Sequence, residues 1–208
     1  MNLPNKITLG RIILSIIILI IMMFPFHDVG YDFPTYLVAG RVTVNLKYII
    51  CGILFMIASF TDFLDGNIAR KRNIVTDLGK VMDAIADKIL VNGILIILAC
   101  DGVLPVVVPV IIITRDTIVD CIKMMAGSKG KVVAASIWGK IKTVFMMTGI
   151  SLVMIGDLPF ELIGVSLGYY LILAACVLSI YSGIQYFIAN KDFMFTCNCR
   201  PIPLSTPI

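Results

Sequence analysis

The stretch that decides the fold and the candidate site is Asp62-Phe63-Leu64-Asp65-Gly66-Asn67-Ile68-Ala69-Arg70, followed at fixed spacing by Gly79, Asp83 and Asp87. It places four carboxylates within 26 residues, between apolar segments long enough to cross a membrane. A carboxylate at the centre of a bilayer is unfavourable by about 2.5–3.5 kcal/mol or more. Four of them therefore require compensating partners, and bound cations are the first candidates.

The composition of the chain excludes a soluble globular domain. Of its 208 residues, 59% are hydrophobic and 14% are charged, about half the usual charged share, and the mean hydropathy is +1.01. A soluble domain of this size cannot cover so much apolar surface. We therefore expect a single polytopic membrane domain over residues 1–192, a polar tail over 193–208, and no nucleic-acid partner.

The apolar runs predict an all-α protein with six transmembrane helices and a short N-terminal interfacial helix. Residues 1–11 form the interfacial segment, which leads into a first span over Ile12–Phe26, and Pro25 to Pro34 form a polar loop. The remaining predicted spans are Lys47–Arg70, Asp77–Cys100, Val103–Ala126, Val133–Ile155 and Leu162–Ile188. No cleavable signal peptide is evident, because the first apolar run has the length of a full span.

Basic residues fix the expected orientation. Six crossings place both termini on one side, and that side holds fifteen of the seventeen Lys and Arg residues; only Arg41 and Lys47 fall opposite. The positive-inside rule therefore predicts that both termini lie in the cytoplasm. Asp62 lies eight residues before Arg70, about 12 Å along a helix axis. The carboxylates thus belong to a recessed cytoplasmic site.

Helical spacing pairs the four carboxylates. Asp62 and Asp65 are three residues apart and Asp83 and Asp87 are four apart, so each pair shares one face of its helix. A short turn makes the two helices antiparallel neighbours, and their faces can converge. Such a set suits hard divalent cations. The alternative is that the acids are solvated helix ends, paired with nearby Arg70, Lys71, Arg72, Lys80 and Lys88.

A second cluster is basic. Arg115 follows a nearly continuous apolar run, and an intramembrane arginine usually faces the interior and meets an anion. Lys140 and Lys142 lie at a predicted helix start, where backbone N–H groups also favour an anion. The alternatives are an ion pair of Arg115 with Asp116 or Asp120, and ordinary flanking lysines. The two clusters together predict a metal site beside a phosphate site.

The sequence resembles the CDP-alcohol phosphotransferase family. The spacing Asp62-x2-Asp65-Gly66-x2-Ala69-Arg70-x8-Gly79-x3-Asp83-x3-Asp87 is the family signature. Similarity extends to both ends of bacterial members that use glycerol phosphate, through Asn2-Leu3-Pro4-Asn5-Lys6-Ile7-Thr8-x2-Arg11 and Ser136-x2-Gly139-Lys140-x-Lys142-Thr143. Two positions depart from those members: Ala84 follows Asp83, and Asp116 rather than Glu follows Arg115.

The resemblance implies a homodimeric membrane enzyme with two divalent cations, Mg²⁺ or Mn²⁺. It would transfer the phosphatidyl group of CDP-diacylglycerol to sn-glycerol 3-phosphate and release CMP. By the same resemblance Asp87 is the general base as well as a metal ligand. The other roles it implies are metal binding by Asp62, Asp65 and Asp83, nucleotide binding by Asp62, Gly66, Ala69 and Gly79, acceptor-phosphate binding by Arg70, Arg115, Lys140 and Lys142, and lipid-substrate contact by Asn5 and Thr8.

Two other functions stay open at this point. A sister enzyme would use inositol phosphate, serine or phosphatidylglycerol as acceptor, because the signature handles only the shared CDP-lipid half. A divalent-cation transporter would use the four acids as an ion path, but it needs polar residues that continue to the outer side, and Tyr48–Phe60 and Ile89–Leu98 are mostly apolar. Cys197-Asn198-Cys199 in the tail is a lone C-x-C pair that predicts no definite metal or disulfide role.

Overall fold

The computed structural model of the chain describes residues 3–31, 33–38, 42–72, 77–128, 137–158 and 160–195. Six α-helices dominate this part. In chain order their bounds are α1 Leu3–Met23, α2 Leu46–Arg72, α3 Asp77–Cys100, α4 Val107–Ser128, α5 Ile137–Met154 and α6 Leu167–Phe195. The mostly helical architecture predicted from the apolar runs is confirmed.

The N-terminal segment corrects the prediction of a separate interfacial helix. Leu3–Met23 is one continuous α-helix without a break at Arg11. Pro4 lies in its first turn, where a missing backbone N–H costs no helical hydrogen bond. Because nothing after Pro4 interrupts the backbone, the interfacial segment and the first apolar run join.

The segment between α1 and α2 is more structured than the polar loop predicted over Pro25 to Pro34. It contains a short 3-10 helix, Phe26–Val29, and an antiparallel hairpin of β1 (Thr35–Val38) and β2 (Val42–Asn45). The β-branched run Val42-Thr43-Val44 favours a strand. Val44 is 3% exposed and lies against Gly156, where an added Cβ would come within 2.7 Å of Val44 Cγ2. Burial of Val44 thus docks the hairpin on the α5–α6 connection.

Local signals explain the observed helix ends. α3 ends as predicted before Asp101-Gly102, with Gly102 at φ +75° and Val103 N–H donating to Leu98 O at 2.9 Å, which is the geometry of a glycine C-cap. α4 begins at Val107 instead of Val103, after Pro105, and α6 begins at Leu167 instead of Leu162, because Phe160–Ile163 is a 3-10 helix. α6 extends to Phe195, beyond the predicted domain end at residue 192. Cys197 and Cys199 lie outside the described residues.

The hydrophobic core occupies one half of the bundle. It contains residues of all six helices, with Ile18, Phe55, Leu98, Ile112 and Ile150 among the fully buried members. α5 and α6 approach closely, since an added Cβ at Gly149 would lie 3.0 Å from Gly168 O. The predicted site residues of α3, α4 and α5 come from the opposite half, beyond this core.

The outer surface of the bundle is apolar. Ile20, Val177 and Ile188 are 58%, 66% and 59% exposed, and exposed apolar area of this extent is typical of a lipid-facing or binding surface. Among the described residues, Ile137–Met154 and Leu167–Asn190 are long and apolar enough to cross a membrane. Thr8–Met23 and Leu46–Thr61 are shorter apolar helical stretches.

Candidate active site

The signature carboxylates lie on two helices. Asp62 and Asp65 belong to α2, and Asp83 and Asp87 belong to α3, so the predicted helical spacing of each pair is confirmed. Asp87 is partly buried. The other site predictions on these helices and on the first turns of α1 concern side chains outside the described part of the structure: Asn5, Asp62, Asp65, Gly66, Ala69, Arg70, Gly79 and Asp83.

Two contacts bear on whether the acids are merely paired helix ends. Lys88, which that alternative assigns to the signature acids, forms its ion pair with Asp120 of α4. Asp87 interacts electrostatically with Lys142 of α5. The general base predicted on α3 therefore acts electrostatically on a lysine predicted to bind the acceptor phosphate.

The basic cluster is organised by a shared carboxylate, Asp116. Lys142 Nζ lies 2.6 Å from both Asp116 Oδ1 and Asp116 Oδ2, and Arg115 Nη1 donates to Asp116 Oδ1 at 2.9 Å. Arg115 Nη2 donates to Ser182 Oγ of α6. The ion pair considered as an alternative for Arg115 is thus present, but one carboxylate serves two cations, so an excess positive charge remains.

Burial distinguishes the members of this cluster. The side chain of Lys142 is 4% exposed, that of Arg115 15% and that of Asp116 22%. A buried cation needs a counter-ion because desolvation opposes its charge. Asp116 supplies that counter-ion and holds Lys142 in place between α4 and α5. Lys140, by contrast, is exposed.

A pocket opens beside the cluster, with a cavity volume of about 210 Å³. This volume is below the roughly 300–1,000 Å³ of pockets for drug-sized ligands, so the pocket suits a small ligand. Four of its nine lining residues are cationic. The lining residues are Arg115, Val119, Lys123, Gly139, Lys140, Lys142, Thr143, Ser182 and Tyr186. A small cavity with this charge favours an anion such as a phosphate group.

Some lining residues escaped the sequence-based prediction. Lys123 Nζ lies 5.9 Å from the centre of the Tyr186 ring, a cation–π contact that holds it at the pocket. Tyr186 and Ser182 come from the sixth predicted span, which was interpreted as an apolar crossing. The sequence feature that could have indicated them is the spacing Ser179-x2-Ser182-x3-Tyr186, which places polar groups on one face of an apolar helix.

Thr8, predicted to contact the lipid substrate, is 6% exposed, and Arg11 one turn later is 5% exposed. Both polar side chains of α1 therefore face protein in this structure. Ser15 Oγ donates to Arg11 O at 2.8 Å, so the polar face of α1 extends inward from its N-terminal turns. A contact of Thr8 with lipid stays a prediction.

Comparison with known proteins identifies the family. The family model for CDP-alcohol phosphatidyltransferases matches residues 1–181. The chain therefore belongs to the CDP-alcohol phosphatidyltransferase family. This membership confirms the resemblance inferred from the signature.

Three curated bacterial relatives share one name, CDP-diacylglycerol–glycerol-3-phosphate 3-phosphatidyltransferase. The chain is 40% identical to that protein of Bacillus subtilis over 95% of its own length and 99% of the relative. It is 35% identical to the Mycoplasma pneumoniae protein over 72% of its length and 66% of the relative. It is 32% identical to the Rickettsia bellii protein over 92% of its length and 97% of the relative.

Proposed function

We propose that this protein transfers the phosphatidyl group of CDP-diacylglycerol to sn-glycerol 3-phosphate, which gives phosphatidylglycerophosphate and CMP. Family membership supports the CDP-lipid donor, and the shared name of the bacterial relatives supports the acceptor. The structural observation that carries the proposal is the small cationic pocket between α4, α5 and α6, whose lining residue Lys142 interacts electrostatically with Asp87.

The pocket suits a phosphorylated acceptor. Serine offers Arg115, Lys140 and Lys142 a single carboxylate beside its own ammonium group, whereas the phosphate of glycerol 3-phosphate has three terminal oxygens that accept hydrogen bonds from all three residues. Arg115 offers a planar fork of donors and the lysines offer point charges. Binding of that phosphate at one end of glycerol orients the hydroxyl at the other end toward Asp87, which raises its effective concentration at the reacting phosphorus.

The carboxylates of α2 and α3 fit divalent cations by the chemistry of the donor set, since oxygen ligands at helical spacings of three and four residues suit Mg²⁺ or Mn²⁺. We assign Asp62, Asp65, Asp83 and Asp87 to two such ions. When bound, the ions neutralise charge on the diphosphate and on the leaving CMP. The nucleotide would lie over Gly66, Ala69 and Gly79 beside Asp62, where small residues permit a close approach.

The proposed reaction is an in-line displacement. The acceptor hydroxyl oxygen bonds to the phosphorus that carries diacylglycerol, the bond from that phosphorus to the CMP oxygen breaks, and CMP leaves with the electron pair. Asp87 takes the hydroxyl proton as general base. Lys142 lies in the field of both Asp87 and Asp116, so it keeps the acceptor phosphate close to the base.

The membrane setting of the proposal follows from the lipid substrate. We propose six membrane crossings, with both termini and the site on the cytoplasmic side of a bacterial plasma membrane, and a homodimer as the working unit. The apolar outer surface and the apolar stretches of α1, α2, α5 and α6 support this arrangement. The diacyl chains then stay in lipid while water-soluble glycerol 3-phosphate and CMP exchange with the cytoplasm.

An acceptor panel tests the proposal. Purified protein in mixed micelles receives CDP-diacylglycerol and Mg²⁺ with glycerol 3-phosphate, inositol phosphate, serine or phosphatidylglycerol, and CMP release is measured. We expect release with glycerol 3-phosphate at least a hundredfold faster than with serine. A sister enzyme is indicated if another acceptor is fastest, and that result overturns the proposed acceptor.

The described core argues against a cation transporter. An ion path from Asp87 to the opposite end of the bundle has to pass Ile94, Leu95 and Leu98. These three side chains are fully buried and pack with Phe55 and Ile112. Within the part of the chain that the structure describes, this region offers no buried carboxylate to carry an ion. Metal flux into proteoliposomes is therefore expected to equal that of empty vesicles.

A further inference from the structure

The guanidinium group of Arg115 is held from two sides by different helices. Nη1 donates to Asp116 Oδ1 on its own helix at 2.9 Å, and Nη2 donates to Ser182 Oγ on α6. Arg115 Nε is buried and has no hydrogen-bond partner among the described residues. These two hydrogen bonds determine the plane of the guanidinium group, and α6 contributes one of them through Ser182.

The backbone of α6 is shaped around this arginine. An added Cβ at Gly183 would lie 2.9 Å from Arg115 Cγ and 3.4 Å from Arg115 Nε. Because glycine has no side chain, Gly183 leaves room for the aliphatic part of Arg115 to pack against α6. On the facing helix, an added Cβ at Gly139 would lie 3.7 Å from Ser182 Oγ, so Ser182 is enclosed as well.

Ser182 combines complete burial with access to the pocket. Its side chain is 0% exposed, yet the residue lines the cationic cavity. A hydroxyl has one donor and two acceptor sites. Ser182 lies one residue beyond the stretch matched by the family model, which ends at residue 181.

We infer that Ser182 is a positioning residue for acceptor recognition: it orients Arg115 toward the acceptor phosphate. This inference rests on the proposed function. A hydrogen bond to a charged group corresponds to a roughly tenfold to hundredfold change in an equilibrium constant. Because Asp116 still holds the other side of Arg115 in a variant, we expect the lower end, an about tenfold rise in KM for glycerol 3-phosphate in Ser182→Ala.

Ser179 provides a matched control. It lies one turn earlier on α6, is also 0% exposed, and its Oγ has no hydrogen-bond partner among the described residues. It does not line the pocket. Ser179→Ala therefore removes a buried hydroxyl from the same helix without touching Arg115, and we expect its KM values to stay within about twofold of wild type.

The test measures CMP release in wild type, Ser182→Ala and Ser179→Ala at varied glycerol 3-phosphate and, separately, at varied CDP-diacylglycerol. The inference predicts a rise in KM for glycerol 3-phosphate in Ser182→Ala alone, with kcat and KM for CDP-diacylglycerol little changed. Equal KM values in all three proteins overturn it. A similar loss for both substrates also overturns it, because that result indicates general disruption of the fold.

A binding measurement separates this inference from the proposed function. Inorganic phosphate is added to each purified protein, and the rise in its thermal unfolding midpoint is recorded. Because the stabilisation grows as RT ln(1 + [L]/Kd), wild type and Ser179→Ala are expected to show a given rise in midpoint at about tenfold less phosphate than Ser182→Ala. If glycerol 3-phosphate supports no CMP release in wild type, the proposed function fails, while the phosphate titration still decides the role of Ser182. Identical titrations for all three proteins refute that role.

Discussion

Loss of the Asp116 charge is predicted to destabilise the protein strongly. Asp116→Asn leaves Lys142, whose side chain is 4% exposed, as a buried cation without the carboxylate that contacts it at 2.6 Å. Removal of one partner from a buried ion pair costs about 3–5 kcal/mol. Since Asp116 itself is 22% exposed, water compensates part of the loss, and we expect a value near the lower end, about 3 kcal/mol.

The assay is thermal unfolding of the detergent-solubilised protein. For a chain of 150–250 residues, 1 kcal/mol corresponds to roughly 2–4 °C in the midpoint, so Asp116→Asn should lower it by roughly 6–12 °C. The matched control is Asp120→Asn. Its partner Lys88 is 45% exposed, and exposed pairs contribute at most about 1 kcal/mol. That variant should shift the midpoint by no more than about 4 °C.

A double-mutant cycle with Lys142→Met isolates the pair. Lys142→Met should cost less than Asp116→Asn, because Asp116 keeps Arg115 as a partner. The double variant should be more stable than the sum of the single effects predicts, by about 2 kcal/mol. Additive effects within about 0.5 kcal/mol would show that Asp116 does not neutralise Lys142, and would refute the account of the basic cluster.

Three further predictions concern the metal, the base and the α5–α6 connection. Chelation of divalent cations should abolish CMP release, and Mg²⁺ or Mn²⁺ should restore it; turnover in chelator contradicts the metal assignment. Asp87→Asn should lower kcat by at least about a hundredfold while CDP-diacylglycerol binding, measured by equilibrium dialysis in micelles, persists; full activity contradicts the assigned base. Asp157 is buried with φ +53°, and its carboxylate accepts a hydrogen bond from Gly168 N–H at 2.7 Å. Burial raises the pKa of this carboxyl above 3.8, and the hydrogen bonds from the N–H groups of Gly168 and Tyr169 offset only part of that rise. Because the folded-state pKa is raised, its contribution to stability is present below pH 3.8 and is lost as pH rises through the folded value. Asp157→Asn should therefore weaken the dependence of the thermal unfolding midpoint on pH in this range. An unchanged dependence contradicts the role given to Asp157.

The sequence allowed correct prediction of features that local signals determine. The bounds of α3 follow from the charged start at Asp77 and the Asp101-Gly102 turn, and the carboxylate spacing follows from the helical repeat alone. An interaction between Asp87 and the basic cluster was also expected, because the predicted antiparallel helices bring the ends that carry these residues to one side. These inferences need only the period of a helix and the sign of the flanking charges.

Features that depend on distant contacts were not predictable in this way. Arg115 and Ser182 are 67 residues apart, and no periodicity along one helix reveals which face of another helix meets it. Asp116 was considered only as a partner of Arg115, whereas its bidentate contact with Lys142 depends on how α4 and α5 pack. The hairpin was missed because its strands have only four residues each, and their stability comes from the docking of Val44.

Transfer of label from glycerol 3-phosphate into lipid is the most direct test of the proposed reaction. Purified protein receives CDP-diacylglycerol, Mg²⁺ and radiolabelled glycerol 3-phosphate, and lipid-borne label and CMP are quantified in the same samples. We expect both products to accumulate in equal amounts, and neither to form when the acceptor or the divalent cation is omitted. Release of CMP without label in lipid, or no CMP release while vesicles with the protein take up divalent cations, would contradict it.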